Sequence, residues 1–272
     1  MSTLEGGKQI INKNILFYFD AANTRSYPGT GSVGYELSTG SSAPGSSITL
    51  LPGITWSSSN YGVMSFNGAR ANQNLVYSVD SWISCGNRIS KLGLTFPFTL
   101  EAWVNPKKLF GGNTAGYSYG VFALDSMEQF PGNYYGVNIM LSQNYGNDRH
   151  YLQGGYYSGT GYGGGDRRTA STTSDVVVCG EWTYIVCVIS GLNNIKLYAN
   201  GVLVSSVISG SAPGLAWSNG AGKTVIGKTP GYYKYTFDGD IAMVRAYNSI
   251  LSDADIIQNY NLHSLRFGLG NI

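Results

Sequence analysis

Phe98-Thr99-Leu100-Glu101-Ala102-Trp103-Val104-Asn105 alternates with period two, placing Phe98, Leu100, Ala102 and Val104 on one side. Thr99, Glu101, Trp103 and Asn105 fall on the other. Successive side chains of a strand point to opposite faces, so this run predicts a half-buried β-strand. Trp182 to Ser190 is apolar on both faces and reads as a central strand. Ile195 to Ala199 enters Asn200-Gly201 and leaves through Val202 to Val207. Asn-Gly between two such runs predicts a hairpin, because both central turn residues need positive φ. Thr224 to Lys228 and Asp240 to Tyr247 add two strands.

One helix stands out near the C-terminus. Ser252 can cap it, and Asp253 and Asp255 lie in the first turn, where the helix dipole favours negative charge. Leu251 and Ile256 have the spacing of a hydrophobic staple, and Asp255 replaces the Glu or Gln of a capping box. The helix is expected to end near Leu262. Between strands, residues 24–47, 111–119, 143–168 and 208–222 read as long loops of Gly, Ser, Asn and Tyr. Residues 1–14 read as an arm, followed by a single domain over 15–272. With few aliphatic anchors, the arm and the 143–168 loop are expected to be mobile in an isolated chain and ordered against a neighbour.

At 272 residues the chain fits one large all-β domain. Hydrophobic residues at 43% and charged residues at 12% supply a core and argue against a disordered chain. The 38 glycines suit many tight turns, and the 21 tyrosines suit strands and contact surfaces. Net charge is +2 with no basic run, which argues against nucleic acid or anionic membrane as partner. MSTLEGGKQIINKN lacks the apolar core of a signal peptide, and no run is long enough for a membrane helix. Cys85, Cys179 and Cys187 have no C-x-x-C spacing, and Cys187 reads as a buried thiol in a reducing compartment.

Four blocks, in order, resemble the laminin-G-like jelly roll of the concanavalin A-like superfamily. They are Gly62–Gly68, then Phe98–Val104, then Glu181–Val186 leading to Lys196–Gly201, and finally Phe237–Asn248 followed by Leu251–Ile256. The resemblance implies an all-β, two-sheet antiparallel jelly-roll sandwich, which the strand pattern also favours. The ends, Ile15–Gly29 and Asn259–Leu269, resemble virion structural proteins of tailed bacteriophages of the cyanophage type. That second resemblance implies a capsid decoration, fibre or tail-adhesion subunit in the virion. Its partners would be other virion proteins, it would be a homo-oligomer, and it would need no signal peptide.

The same superfamily includes glucanases that carry Glu-x-Asp-x-x-Glu on one strand. Glu5, Glu36, Glu101, Glu128 and Glu181 begin no such motif. A retaining pair needs carboxylates about 5–5.5 Å apart, whereas Asp125 and Glu128 would point to opposite strand faces. No enzyme is expected. His150 and His263 belong to no metal pattern and read as surface histidines, and Gly161–Gly165 lacks the Lys of a phosphate loop. Jelly rolls of the superfamily often hold a structural Ca²⁺. Asp20, Asn23, Asp238 and Asp240 supply hard oxygens for one, although Asp238-Gly239-Asp240 reads first as a turn. No other cofactor is implied.

Tyrosines set among Gly, Ser and Asn are the candidate contact residues. They are Tyr117, Tyr119, Tyr134, Tyr135, Tyr156, Tyr157 and Tyr162, with Tyr232, Tyr233 and Tyr235. Such a surface offers large area at low entropic cost, for a neighbouring subunit or for a glycan. The sequence therefore leads to a non-enzymatic virion protein with a lectin-like domain, and alternatively to a module that recognises host surface glycans.

Overall fold

The computed structural model describes residues 9–38, 47–67, 81–107, 118–126, 134–143, 149–161, 164–228 and 236–272. Its strands, numbered along the chain, form two antiparallel sheets. The eight-stranded sheet contains β1 (Ile15–Asp20), β4 (Ile54–Ser57), β5 (Val63–Phe66), β7 (Phe98–Pro106), β13 (Thr183–Gly191), β14 (Asn194–Ala199), β15 (Val202–Val204) and β18 (Gly239–Tyr247). The ten-stranded sheet begins with β2 (Val33–Tyr35), β3 (Ser47–Leu50), β6 (Ile83–Ser84), β8 (Ser118–Ser126) and β9 (Val137–Gln143). It is completed by β10 (Arg149–Tyr157), β11 (Arg167–Thr172), β12 (Val177–Val178), β16 (Ser206–Ser209) and β17 (Lys223–Ile226).

The alternation in β7 sets the layers. Phe98, Leu100, Ala102 and Val104 are fully buried between the sheets, facing Phe122 and Leu124 of β8, Ile139 and Leu141 of β9, and Leu152 of β10. Burial of each large side chain there stabilises the sandwich by about 1.5–3 kcal/mol. The sheets approach closely at Gly154, where an added Cβ would lie 2.5 Å from Cys187 Sγ. Asn200 and Gly201 both adopt positive φ, 49° and 81°, and make the hairpin between β14 and β15.

The outer face of the eight-stranded sheet is buried as well. Trp103, Tyr184, Tyr198 and Met243 lie under helix α1 (Asp253–His263) and the short turn Ser264–Phe267 that follows it. Trp103 stacks on Phe267 at 4.4 Å and on Tyr260 at 5.6 Å. Aspartate completes the capping box: Asp255 N donates to Ser252 Oγ at 3.2 Å, and Ser252 N donates to Asp255 Oδ2 at 2.9 Å. Leu251 and Ile256 are both buried beside it, as the staple spacing requires.

Within this second layer Arg245 Nη1 lies 2.7 Å from Glu101 Oε1, and both side chains are wholly inaccessible. Tyr184 and Tyr247 hydroxyls and Asn259 Nδ2 also donate to the Glu101 carboxylate. A buried charge is tolerated when paired and hydrogen-bonded in this way.

One expectation is corrected. Within the 143–168 stretch, Arg149–Tyr157 is strand β10, which pairs with both β9 and β11. Its Gly and Tyr content hid a strand whose polar residues face outward. Residues 9–14 are tied to their own chain: Gln258 Nε2 donates to Gln9 O, Ile11 N to Asn259 Oδ1, and Ser249 Oγ to Lys13 O.

Cys85 and Cys187 are buried, and burial pushes both thiols up. Cys179 is half-buried, with Sγ 3.2 Å from His150 Nε2. A disulfide-exchange reagent is therefore expected to titrate one thiol in the native protein and all three in denaturant, since the thiolate is the reacting form. Rapid native titration of more than one would show that the core around Cys85 or Cys187 opens.

Candidate functional site

On β10 the even residues Leu152 and Tyr156 point between the sheets, so Tyr151, Gln153, Gly155 and Tyr157 point outward. Strand pairing places Ser142 beside Tyr151, Met140 and Ser171 beside Gln153, and Asn138 and Thr169 beside Gly155. Gly155 is required by close contact, since a Cβ there would stand 2.0 Å from Arg168 O. Ser142, Tyr151, Gln153 and Ser171 are half-buried and uncharged. Arg149 begins β10 and Arg167 begins β11, so charge is kept to the two ends of this strand pair.

Asn138 is the central polar group. Its Nδ2 donates to the Tyr157 hydroxyl at 3.4 Å, while its Oδ1 is buried with no hydrogen-bond partner. A buried amide oxygen without a donor among the described residues is costly, so this position is held by its surroundings rather than by its own hydrogen bonds. Burial pushes the Tyr157 phenol up to about 12, with Arg167 and the Asn138 bond opposing, so Tyr157 stays a neutral donor.

The rim above Asn138 is built by backbone bonds. Tyr134 N donates to Gly161 O, Gly159 N to Tyr134 O, Gly136 N to Ala216 O, and Ala216 N to Tyr157 O. These bonds bring half-buried Tyr134 and Tyr135 to the end of β10, where the Tyr134 and Tyr157 rings meet edge to face at 5.3 Å. Asp125, at φ 77°, anchors the same rim through Ser218, whose N and Oγ both donate to its carboxylate. Further along the face, Trp82, Ala123 and Val225 form a small apolar cluster, with Lys228 Nζ 4.1 Å above the Trp82 ring.

The structure thus gathers Tyr134, Tyr135 and Tyr157, but it assigns Tyr156 elsewhere. Tyr156 is a core residue, fully buried, with its ring 5.0 Å from Phe96 and its hydroxyl donating to Leu192 O. Tyr157, at 4% exposed, is a wall of the site rather than a loop-tip contact. Tyr119 has its backbone in β8, while Tyr117, Tyr162, Tyr232, Tyr233 and Tyr235 lie outside the described residues, as does Glu128. Sequence reading missed Asn138, Tyr151 and Gln153. The signal was there as Tyr151-x-Gln153-x-Gly155-x-Tyr157, a period of two inside what read as a loop.

The proposed calcium ligands do not converge. Asp20 Oδ1 accepts from Arg266 Nη1 and Ala22 N, and Asn23 Oδ1 accepts from Arg25 N. Asp240 accepts from Ser65 Oγ at 2.6 Å, and Asp238 lies 3.9 Å from Lys107 Nζ. Among the described residues no group of three or more His, Cys, Asp or Glu side chains is placed to hold a metal. The histidines are not surface residues either: His150 is fully buried, and half-buried His263 sits 2.8 Å from Arg245.

No curated protein matches this chain in sequence. In fold it is similar to the receptor-binding domain of botulinum neurotoxin type G, at 14% identity and TM-score 0.58, covering 93% of this chain and 52% of that one. A structure from work on ganglioside-dependent cell entry of botulinum neurotoxin type C is similar too, at 11% identity and TM-score 0.60, covering 93% and 52%. The chain spans about half the length of these toxin domains. Domain 4 of AbnA, a GH43 extracellular arabinanase from Geobacillus stearothermophilus, solved in complex with arabinotriose, aligns at 17% identity and TM-score 0.51. That alignment covers 89% of this chain and 96% of that one. At these identities the likeness is one of fold. The sequence itself is more specific, because residues 78–257 match the family model of the concanavalin A-like lectin/glucanases superfamily. With that match over more than half of its length and the two-sheet sandwich to go with it, the chain belongs to the concanavalin A-like lectin/glucanase superfamily.

Proposed function

We propose that this lectin-like domain is a non-catalytic module that holds a neutral saccharide against the outer face of its ten-stranded sheet. The observation that carries this reading is the uncharged outer surface of β9–β11, where half-buried Ser142, Tyr151, Gln153 and Ser171 lie on neighbouring strands, with half-buried Tyr134 packed on Tyr157 at one end. Tyrosine rings stack on sugar faces, and amide and hydroxyl groups exchange hydrogen bonds with sugar hydroxyls without requiring a charge. The printed ligands of two fold neighbours, arabinotriose for the arabinanase domain and gangliosides for neurotoxin type C, agree with a saccharide. The non-catalytic part is supported by Glu101 and Asp125. These two strand carboxylates are fully buried, Glu101 held by Arg245 and Asp125 by Ser218, as Asp20 is held by Arg266 and Asp240 by Ser65.

A glycan array is expected to return neutral oligosaccharides. Tyr134→Ala and Gln153→Ala should each weaken binding about tenfold, in the range of a contact worth ~1.4 kcal/mol. Tyr61→Ala, at a tyrosine 80% exposed before β5, should leave it unchanged. Retention of full affinity by both site variants, or release of reducing sugar from the bound glycan, would overturn the proposal. The virion setting is proposed on the resemblance of the chain's ends alone, and mass spectrometry of purified particles tests it. In the fold those two end blocks meet, with Asp20 Oδ1 3.0 Å from Arg266 Nη1.

A further inference from the structure

The last residue of α1 rests against the buried ion pair: His263 Nε2 lies 2.8 Å from Arg245 Nη2. Both terminal nitrogens of that guanidinium have further partners. Nη1 lies 2.7 Å from Glu101 Oε1 and donates to the Tyr247 hydroxyl, while Nη2 also meets Met243 Sδ. A guanidinium only donates, so Nε2 is the accepting nitrogen of His263 and the ring proton sits on Nδ1. Only a neutral imidazole fits this contact. Protonation would set an N–H against a donor that is fully buried and held in place by Glu101. Arg266, on the turn after α1, adds a second cation beside the ring. The carboxylates that face this region are committed to the arginines, Glu101 to Arg245 and Asp20 to Arg266. Tyr18, Tyr184 and Tyr247 complete the surround as phenols that burial keeps neutral, and Asp253 and Asp255 lie at the far end of the helix.

Helix α1 and the Ser264–Phe267 turn join the eight-stranded sheet through one short connection, residues 248–252. Tyr260 and Phe267 stack on Trp103, Asn259 Nδ2 donates to Glu101, and Arg266 pairs with Asp20. Residues 9–13 touch the helix through the bonds of Gln9 and Ile11. None of these attachments is a strand pairing, so the segment can lift without breaking either sheet. We infer that it is an acid-released lid: protonating His263 lifts α1 and its turn from the sheet and uncovers Trp103, Tyr184 and Tyr198 while the sandwich stays folded. In the closed lid, burial with Arg245 and Arg266 holds His263 down to about 3, from an ordinary 6.5. The lifted state therefore binds a proton that the closed state refuses. Closure is fully favoured above pH 6.5 and weakens as pH falls from there toward 3. The lid covers the opposite sheet from the proposed saccharide face, so neither reading depends on the other.

Amide hydrogen exchange, read residue by residue between pH 7.5 and 4.5 and corrected for the intrinsic rate, tests this. The opening constant of the α1 amides should rise about a hundredfold over that range, the linkage of one proton. Amides of β7 and β13, which exchange when the sandwich itself unfolds, should stay better protected than α1 at each pH. His263→Gln keeps an oxygen to accept from Arg245 but takes up no proton, so its α1 opening should be flat with pH. Should that variant misfold, the comparison of α1 with β13 in the wild type decides alone. Wild-type α1 opening that ignores pH, α1 and β13 exchanging together at each pH, or a His263→Gln variant with the wild-type slope would overturn the lid.

Discussion

Glu101→Leu should destabilise the protein by about 3–5 kcal/mol, the cost of leaving a buried guanidinium without its carboxylate. Arg245 has no accessible surface, and its remaining neighbours are Tyr18, Tyr247, Met243 and His263, none of them an anion at neutral pH. Tyr184, Tyr247 and Asn259 would also lose the acceptor they share. A paired change, Glu101→Leu with Arg245→Met, should recover the part of the loss that comes from the unpaired guanidinium, while Tyr184, Tyr247 and Asn259 stay without their acceptor. Urea unfolding of the wild type, both single variants and the double variant measures the coupling directly. Additive effects, with no recovery in the double variant, would mean that the pair is not what holds the second layer.

The second large effect is acid instability. Burial holds the His150 imidazole down to about 4, from an ordinary 6.5. Burial, with Arg245 and Arg266 adding to it, holds His263 down to about 3. Between pH 6.5 and 4 the unfolded chain takes up protons at these histidines and the folded chain does not, so stability falls as pH falls through that window. For His150 alone the difference amounts to roughly 3 kcal/mol by pH 4, and above pH 6.5 it contributes nothing. Asp125, raised chiefly by burial, acts in the opposite sense. It binds its proton in the folded state first and so offsets part of the acid loss at the low end. Urea midpoints at several pH values should decline steadily below 6.5, with a shallower slope for His150→Gln. A flat profile down to pH 4 would show that His150 is protonated, and solvated, in the folded state.

What the sequence revealed follows from which interactions are local. The inward residues of β7, the Asn200-Gly201 turn and the Ser252 cap depend on neighbours within a few positions, and each is found where the pattern places it. The outward side of β7 was harder to read, because Glu101 looks like a solvent-facing residue until Arg245 is brought against it from 144 positions away. One hint existed: β13 is apolar on both faces, which requires a second buried layer over that sheet. The site strands were least legible. In β10 the outward residues are Tyr, Gln and Gly, and Gly154 and Gly155 are fixed by close approach to Cys187 and Arg168 rather than by a turn. Glycine selected for proximity looks the same in sequence as glycine selected for a loop. Tyr156 and Tyr157, adjacent in sequence, therefore read alike as contacts, although strand alternation sends one into the core and the other to the outer face.

Amide chemical-shift mapping tests the binding face most directly. The labelled protein would be titrated with arabinotriose first and then with each neutral oligosaccharide that an array returns. Saturable shifts should cluster at Asn138, Ser142, Tyr151, Gln153, Ser171 and the 134–136 rim, neighbours across β9, β10 and β11. Residues around Tyr61 and along Val202–Ser209 should not move. Saturable shifts centred on either of those regions, or no shift with any of the sugars, would contradict a saccharide site on the ten-stranded sheet.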